Sequence, residues 1–141
     1  MKPLQISYKV FPDDNGVPLF SPALSVQIAL PGQNSPRTKK FEAIVDSGAS
    51  RCTFHADLAK HLGIDITACT AEKTTGISGS ETTYLSEIAL YIPGGSVKII
   101  AAFKEQLPVA GLLGMNGFFE HFNVTFVGGC QHFTLERIYK A

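Results

Sequence analysis

The sequence predicts a mostly-β protein, a closed or partly closed barrel with one or two short helices. Three observations predict it. Apolar residues recur at every second position over several short stretches. Clusters of Gly, Pro, Asn and Asp separate those stretches. The best helix candidate, His55 to Leu62, is only two turns long. Many short strands, tight turns and little helix suit a barrel more than a helical or doubly wound architecture.

The elements follow in order. Ile6, Tyr8 and Val10 alternate with Ser7 and Lys9 and read as a strand. Pro12 to Gly16 is a turn cluster with Asp13-Asp14-Asn15-Gly16 at its centre. Leu24, Val26, Ile28 and Leu30 give a second strand with one buried face. Pro31 to Arg37 is a polar loop, and Thr38 to Val45 returns as a strand. Arg51 to Phe54 is apolar in part. In His55 to Leu62, Leu58 and Leu62 stack at i, i+4, and Gly63 is a natural residue just past the helix end. Residues 64 to 75 have β-like composition. Thr82 to Ile92 and Val97 to Phe103 are strands joined by Pro93-Gly94-Gly95. Leu107 leads to Leu113. Phe122, Val124 and Phe126 alternate, Gly128-Gly129 turns, and Phe133 to Ile138 closes a last hairpin. Phe118 to Phe122 is too short to read as helix from pattern alone.

The 141 residues fit one domain, spanning 1–141. A chain of that size buries roughly two-thirds of its unfolded surface without staples. A hydrophobic content of 45% excludes disorder. Twelve basic and twelve acidic residues cancel, so there is no electrostatic reason to expect nucleic acid or an anionic membrane as a partner. No apolar run approaches the ~20 residues of a membrane span, and none follows Lys2 as in a signal peptide. Cys52, Cys69 and Cys130 are odd in number with no close pair, which suits a reducing compartment. The cytoplasm is the expected location.

The chemistry concentrates in Phe41 to Ser50, which reads Phe-Glu-Ala-Ile-Val-Asp-Ser-Gly-Ala-Ser. An apolar strand ends in an acid, and small residues follow that leave room for another backbone to approach. Asp-Ser-Gly turns are common in loops, so the four residues alone also suit an ordinary turn. Downstream features decide the matter. Asp46-Ser47-Gly48-Ala49 resembles the active-site turn of aspartic proteases. Leu112-Leu113-Gly114 resembles that family's second signature, two apolar residues and a glycine, with Met115 to Phe119 placed to open a short helix. From 46 to 114 is 68 residues, which suits the one-domain, retroviral-type (retropepsin-like) branch. Gly76-Ile77-Ser78-Gly79 lies between the two, where the resemblance implies a glycine-tipped flap. The match looks closest to bacterial retropepsin-like proteins, which often read Leu-Leu-Gly-Met. Viral enzymes usually carry an acid and an arginine where this chain has Ser50 and Met115, so both partners of that ion pair are absent together. Gly117 costs about 1 kcal/mol relative to Ala if the segment is helical.

The resemblance implies a retropepsin-like barrel and an aspartic endopeptidase. Two carboxylates hold one water; one takes its proton and the other protonates the substrate carbonyl. Asp13, Asp14, Asp57 and Asp65 lack a following hydroxyl-glycine pair. The second carboxylate must therefore come from another copy, so the resemblance and the lone turn together imply a homodimer with Asp46 facing Asp46. Ser47 would brace the two turns, Gly48 and Ala49 would admit the peptide or protein substrate, and Gly76 to Gly79 would cover it. Ile77, Leu107, Val109 and Leu112 are candidates for side-chain pockets, or plain core. Arg51 occupies a place that often contacts substrate in relatives, and equally suits a surface charge. The alternative function is a catalytically silent peptide-binding or interaction module on the same fold.

No cofactor and no metal are expected. Cys52 and His55 have Cys-x-x-His spacing, but no second tight pair completes a zinc site. A Cys–His protease lacks an oxyanion signature near Cys52, and a buried structural thiol fits better.

Overall fold

In the computed structural model, residues 2–76 and 79–139 are described. Twelve strands and one α-helix follow in the order β1 Leu4–Ser7, β2 Lys9–Pro12, β3 Pro18–Ser21, β4 Ala23–Ala29, β5 Phe41–Val45, β6 Thr53–His55, α1 Ala56–His61, β7 Thr70–Gly76, β8 Gly79–Ile92, β9 Gly95–Lys104, β10 Gly111–Leu113, β11 Phe122–Val127 and β12 His132–Arg137. The main sheet runs β4-β5-β10-β6-β9-β8-β7, and β8 also pairs with β4. The pairing therefore returns on itself, giving the mostly-β barrel the sequence predicts.

Buried alternation builds this ring. Leu24, Val26 and Ile28 on β4, Ile88 and Leu90 on β8, and Phe103 on β9 are all buried. Phe54 stands at the centre, its ring 6.2 Å from that of Phe103 and 5.9 Å from that of Phe41. Gly111 is required there, because a Cβ would come within 2.7 Å of the Phe54 ring. A second sheet, β1-β12-β11, adds Phe122, Phe133 and Leu135 to the core.

Several expectations are adjusted. The strand read through Ile6, Tyr8 and Val10 is two strands in different sheets. Tyr8 donates its backbone N–H to Gln131 between them, while β2 turns away to pair with β3. The turn of that hairpin is the one read from composition, with Asp13 Oδ1 accepting the N–H of Asn15 and of Val17, each at 2.8 Å. The strand delivering Asp46 begins at Phe41, not Thr38. Ahead of it Thr38 bonds β4 through backbone and side chain together without running as a strand: its N–H reaches the Ile28 carbonyl, its Oγ1 accepts the Ile28 N–H and its carbonyl accepts Gln27 Nε2. Residues 64 to 75 are not continuous strand, because Asp65 caps a short 3-10 turn at Ile66–Ala68. The helix is as read. His55 Nδ1 accepts the Asp57 N–H at its start, and Gly63, at φ +78°, ends it. The Gly63 and Ile64 N–H groups then return to the Lys60 and Ala59 carbonyls.

The expected helix after Gly114 does not form. Gly117 sits at φ +107°, outside helical space, and its N–H is taken by the Glu120 carboxylate at 2.7 Å. The Phe118 and Phe119 N–H groups share the Gly114 carbonyl, and the segment turns without winding. Among the described residues no helix is long and apolar enough to cross a membrane.

Candidate active site

Two strands from distant parts of the sequence create the site. Short β10 inserts between β5, to which it is parallel, and β6, to which it is antiparallel. Val45 lies opposite Leu113, so both signatures leave the sheet at the same level. Asp46 donates its N–H to the Leu113 carbonyl at 2.9 Å. The chain then turns sharply: Ala49 N–H reaches the Asp46 carbonyl, and Gly48 N–H donates to Asp46 Oδ1 at 2.8 Å. Asp46 is half-buried, while Ser47 and Gly48 are exposed. Among the described residues, the Gly48 N–H is the one hydrogen-bond partner of the Asp46 carboxylate, and no cation pairs with it. The Ser47 hydroxyl, expected to brace a second copy, has no partner among them either.

Gly114 is where the two signatures touch. A Cβ there would lie 2.4 Å from the Arg51 carbonyl oxygen and 2.7 Å from that of Ala49. With only hydrogen at that position, the segments run side by side. Met115 N–H bonds the Ala49 carbonyl at 2.8 Å, and the Ser50 carbonyl takes both Asn116 N–H (3.0 Å) and Asn116 Nδ2 (2.6 Å). These links stand at Ser50 and Met115, the two places read from sequence as lacking an ion pair. Asn116 was not singled out from sequence. Its role needs a partner 66 positions away, and no local pattern signals that.

Arg51 borders the cleft beside the turn and is not a free surface charge. It forms a two-pronged pair with Glu72 on β7, Nε to Oε1 at 2.9 Å and Nη2 to Oε2 at 3.0 Å. The hydrogen bonds from Arg51 hold the Glu72 carboxyl below its usual range, and those to Glu72 raise the guanidinium. The Arg51 guanidinium is thus committed to Glu72. Cys52 is fully buried, and burial pushes its thiol up to about 11. A thiol so protonated is no nucleophile. Among the described residues no group of three or more His, Cys, Asp or Glu converges as a metal site.

A cleft of 260 Å³ opens beside the turn, walled by Gly48, Ala49, Leu107 and Leu112 and by a polar set from β6 to β9. Four other clefts are larger, at 550, 470, 340 and 330 Å³, and none is lined by a residue of either signature, though the 340 Å³ one borders Asn116 and Gly117 just beyond the second. Of the pocket residues expected, Leu107 and Leu112 line the small cleft and Val109 does not. Gly76 and Gly79 end β7 and β8 and pair with one another. Ile77 and Ser78, the middle of the expected flap, lie outside the described residues.

The crystal structure of a retropepsin-like aspartic protease from Rickettsia conorii is similar to this chain at 18% identity and a TM-score of 0.63, covering 96% of this chain and 99% of that one. The EIAV protease complexed with the inhibitor HBY-793 is similar at 18% identity and a TM-score of 0.48, over 67% of this chain and 81% of that one. No curated protein matches. The Rickettsia structure shows a shared retropepsin-like fold. The model of the family described as aspartyl protease matches residues 26–116, a span that contains the Asp46 turn, β7, β8 and Gly114. On that match, over well more than half of its length, the chain belongs to the aspartyl protease family.

Proposed function

We propose that this protein is an aspartic endopeptidase whose site forms across a homodimer, with Asp46 of each copy as the catalytic carboxylate. The observation that carries this reading is the state of Asp46. Among the described residues its carboxylate takes one backbone N–H and pairs with no cation, and the Arg51 guanidinium is engaged by Glu72. A carboxylate left without a counter-cation can share a proton with a twin. Two acids about 3 Å apart cannot both ionise cheaply, so the pair holds one proton between them. The ionised member then takes a proton from water as it attacks the peptide carbonyl, and the protonated member gives its proton to the carbonyl oxygen. Ser47 and Gly48, exposed beside the carboxylate, are placed to meet the second copy and the substrate. Gly76 and Gly79, paired where β7 ends and β8 begins, would bound the covering flap. Three free cysteines favour a reducing compartment, and we assign the protein to the cytoplasm.

Cleavage of a denatured protein mixture between pH 4 and 7 tests the reading. The wild type is expected to cut, and Asp46→Asn to lose at least ~10³-fold in rate, because one carboxylate cannot serve as both acid and base. Equal behaviour of the two proteins would leave a peptide-binding module as the better description.

A further inference from the structure

We infer that the cleft beside the Asp46 turn selects a neutral polar side chain of the substrate, an amide in preference to an aliphatic or charged group. This rests on the reading of Asp46 given above and adds the substrate class.

Besides Ser50 on the turn, six polar residues line the cleft: Arg51, Thr53, Glu72, Glu81, Thr83 and Lys104. The four charges form two complete pairs, Arg51 with Glu72 and Lys104 Nζ with Glu81 Oε2 at 2.7 Å. The wall is therefore ionic yet neutral in sum. The Lys104 side chain is only 19% exposed, so its pair is already partly removed from water. An aliphatic side chain seated there would strip the remaining water from four ions and return no hydrogen bond. A charged side chain would meet both signs at once and gain little for its own desolvation.

An amide meets neither objection. Each carboxylate has lone pairs beyond those its partner uses, and the guanidinium and ammonium keep spare N–H donors. An amide donates to the first and accepts from the second without breaking either pair. The Thr53 and Thr83 hydroxyls make only long bonds of 3.4 Å to backbone carbonyls, so they too can turn to a ligand. Leu107 and Leu112 supply the apolar part of the wall, suited to the methylenes of a Gln side chain. The volume of 260 Å³ lies below the ~300–1,000 Å³ of small-molecule pockets and suits a single side chain.

The test is to map the bonds cut in a denatured protein mixture and align them on the scissile position. One position is expected to favour Gln and Asn over Leu by about tenfold, since a site built for hydrogen bonds rejects an analogue that lacks them. The paired replacement Glu81→Leu with Lys104→Met keeps the volume and removes one ion pair. It is expected to move that position toward Leu and Met and leave the others unchanged. An aliphatic preference at every position, or an unaltered profile in the double variant, overturns the inference while leaving the protease reading intact. If the double variant does not fold, Lys104→Gln leaves Glu81 without its cation, and the same position is expected to shift toward Lys and Arg; an unaltered profile there overturns the inference equally. Binding is read separately by calorimetry on Asp46→Asn protein, which holds peptide without turnover. Two peptides differing by Gln or Leu at one position are expected to differ in Kd by about tenfold. Equal affinities, or no binding of either, sink the inference whether or not the wild type cleaves.

Discussion

Gly114 has no room for a side chain. The atoms a Cβ would strike are the Arg51 and Ala49 carbonyl oxygens, at 2.4 and 2.7 Å, and hydrogen-bonded backbone cannot swing aside as a lysine tip can. Gly114→Ala must separate Ala49 and Ser50 from Met115 and Asn116, which are joined by three hydrogen bonds. The expected loss is about 1–3 kcal/mol from overpacking. It should appear in urea melts as a lower midpoint with unchanged slope, and the Asp46-dependent cleavage should fall with it. This glycine and Asp46 were legible in the sequence because residue type and order alone carry them: a strand, an acid, small residues, then two aliphatics and a glycine. What Gly114 touches was not legible. The Asn116–Ser50 link joins residues 66 apart and the Arg51–Glu72 link residues 21 apart. Each depends on how strands register across the sheet, which no local pattern encodes.

At the scale of elements, the strands were legible wherever one face is buried and the other is not. β4, β8, β9 and β12 follow their alternation closely. The reading failed where a loop is tied to a strand by mixed backbone and side-chain bonds, as at Thr38, and where a positive φ overrides composition, as at Gly117. The Arg51–Glu72 pair binds the turn carrying Asp46 to β7, so it ties the floor of the site to one wall. Glu72 is held below its usual range by hydrogen bonds from Arg51, and the sign of the effect follows. A carboxyl with a lowered folded pKa adds stability above its unfolded value of ~4.3, and that share is lost as pH falls through the folded value. Both side chains are about one-third exposed, so the contribution is at most ~1 kcal/mol. Glu72→Gln should therefore be less stable than wild type at pH 6 by up to that amount. The two should converge below pH ~4, as read by urea melts across the range. A gap that persists at pH 3 would mean Glu72 acts through packing and not through charge.

At the scale of the whole molecule, the ring of strands presents one carboxylate of the required kind. The remaining aspartates are otherwise placed. Asp13 holds the β2–β3 turn, Asp65 caps the 3-10 turn, Asp57 opens α1, and Asp14 is exposed on the hairpin. On the proposed mechanism a catalytic pair would draw one member from each of two chains, and the neutral net charge sets up no repulsion between copies. Mixed dimers test this directly. Wild-type and Asp46→Asn chains, denatured together and refolded at constant total concentration, assort at random between subunits. A site needing both carboxylates is active only in wild-type pairs, so rate should fall as the square of the wild-type fraction. An equal mixture should retain about one quarter of the wild-type rate. A linear fall, leaving about half, would mean that each chain cuts alone and that Asp46 has no twin.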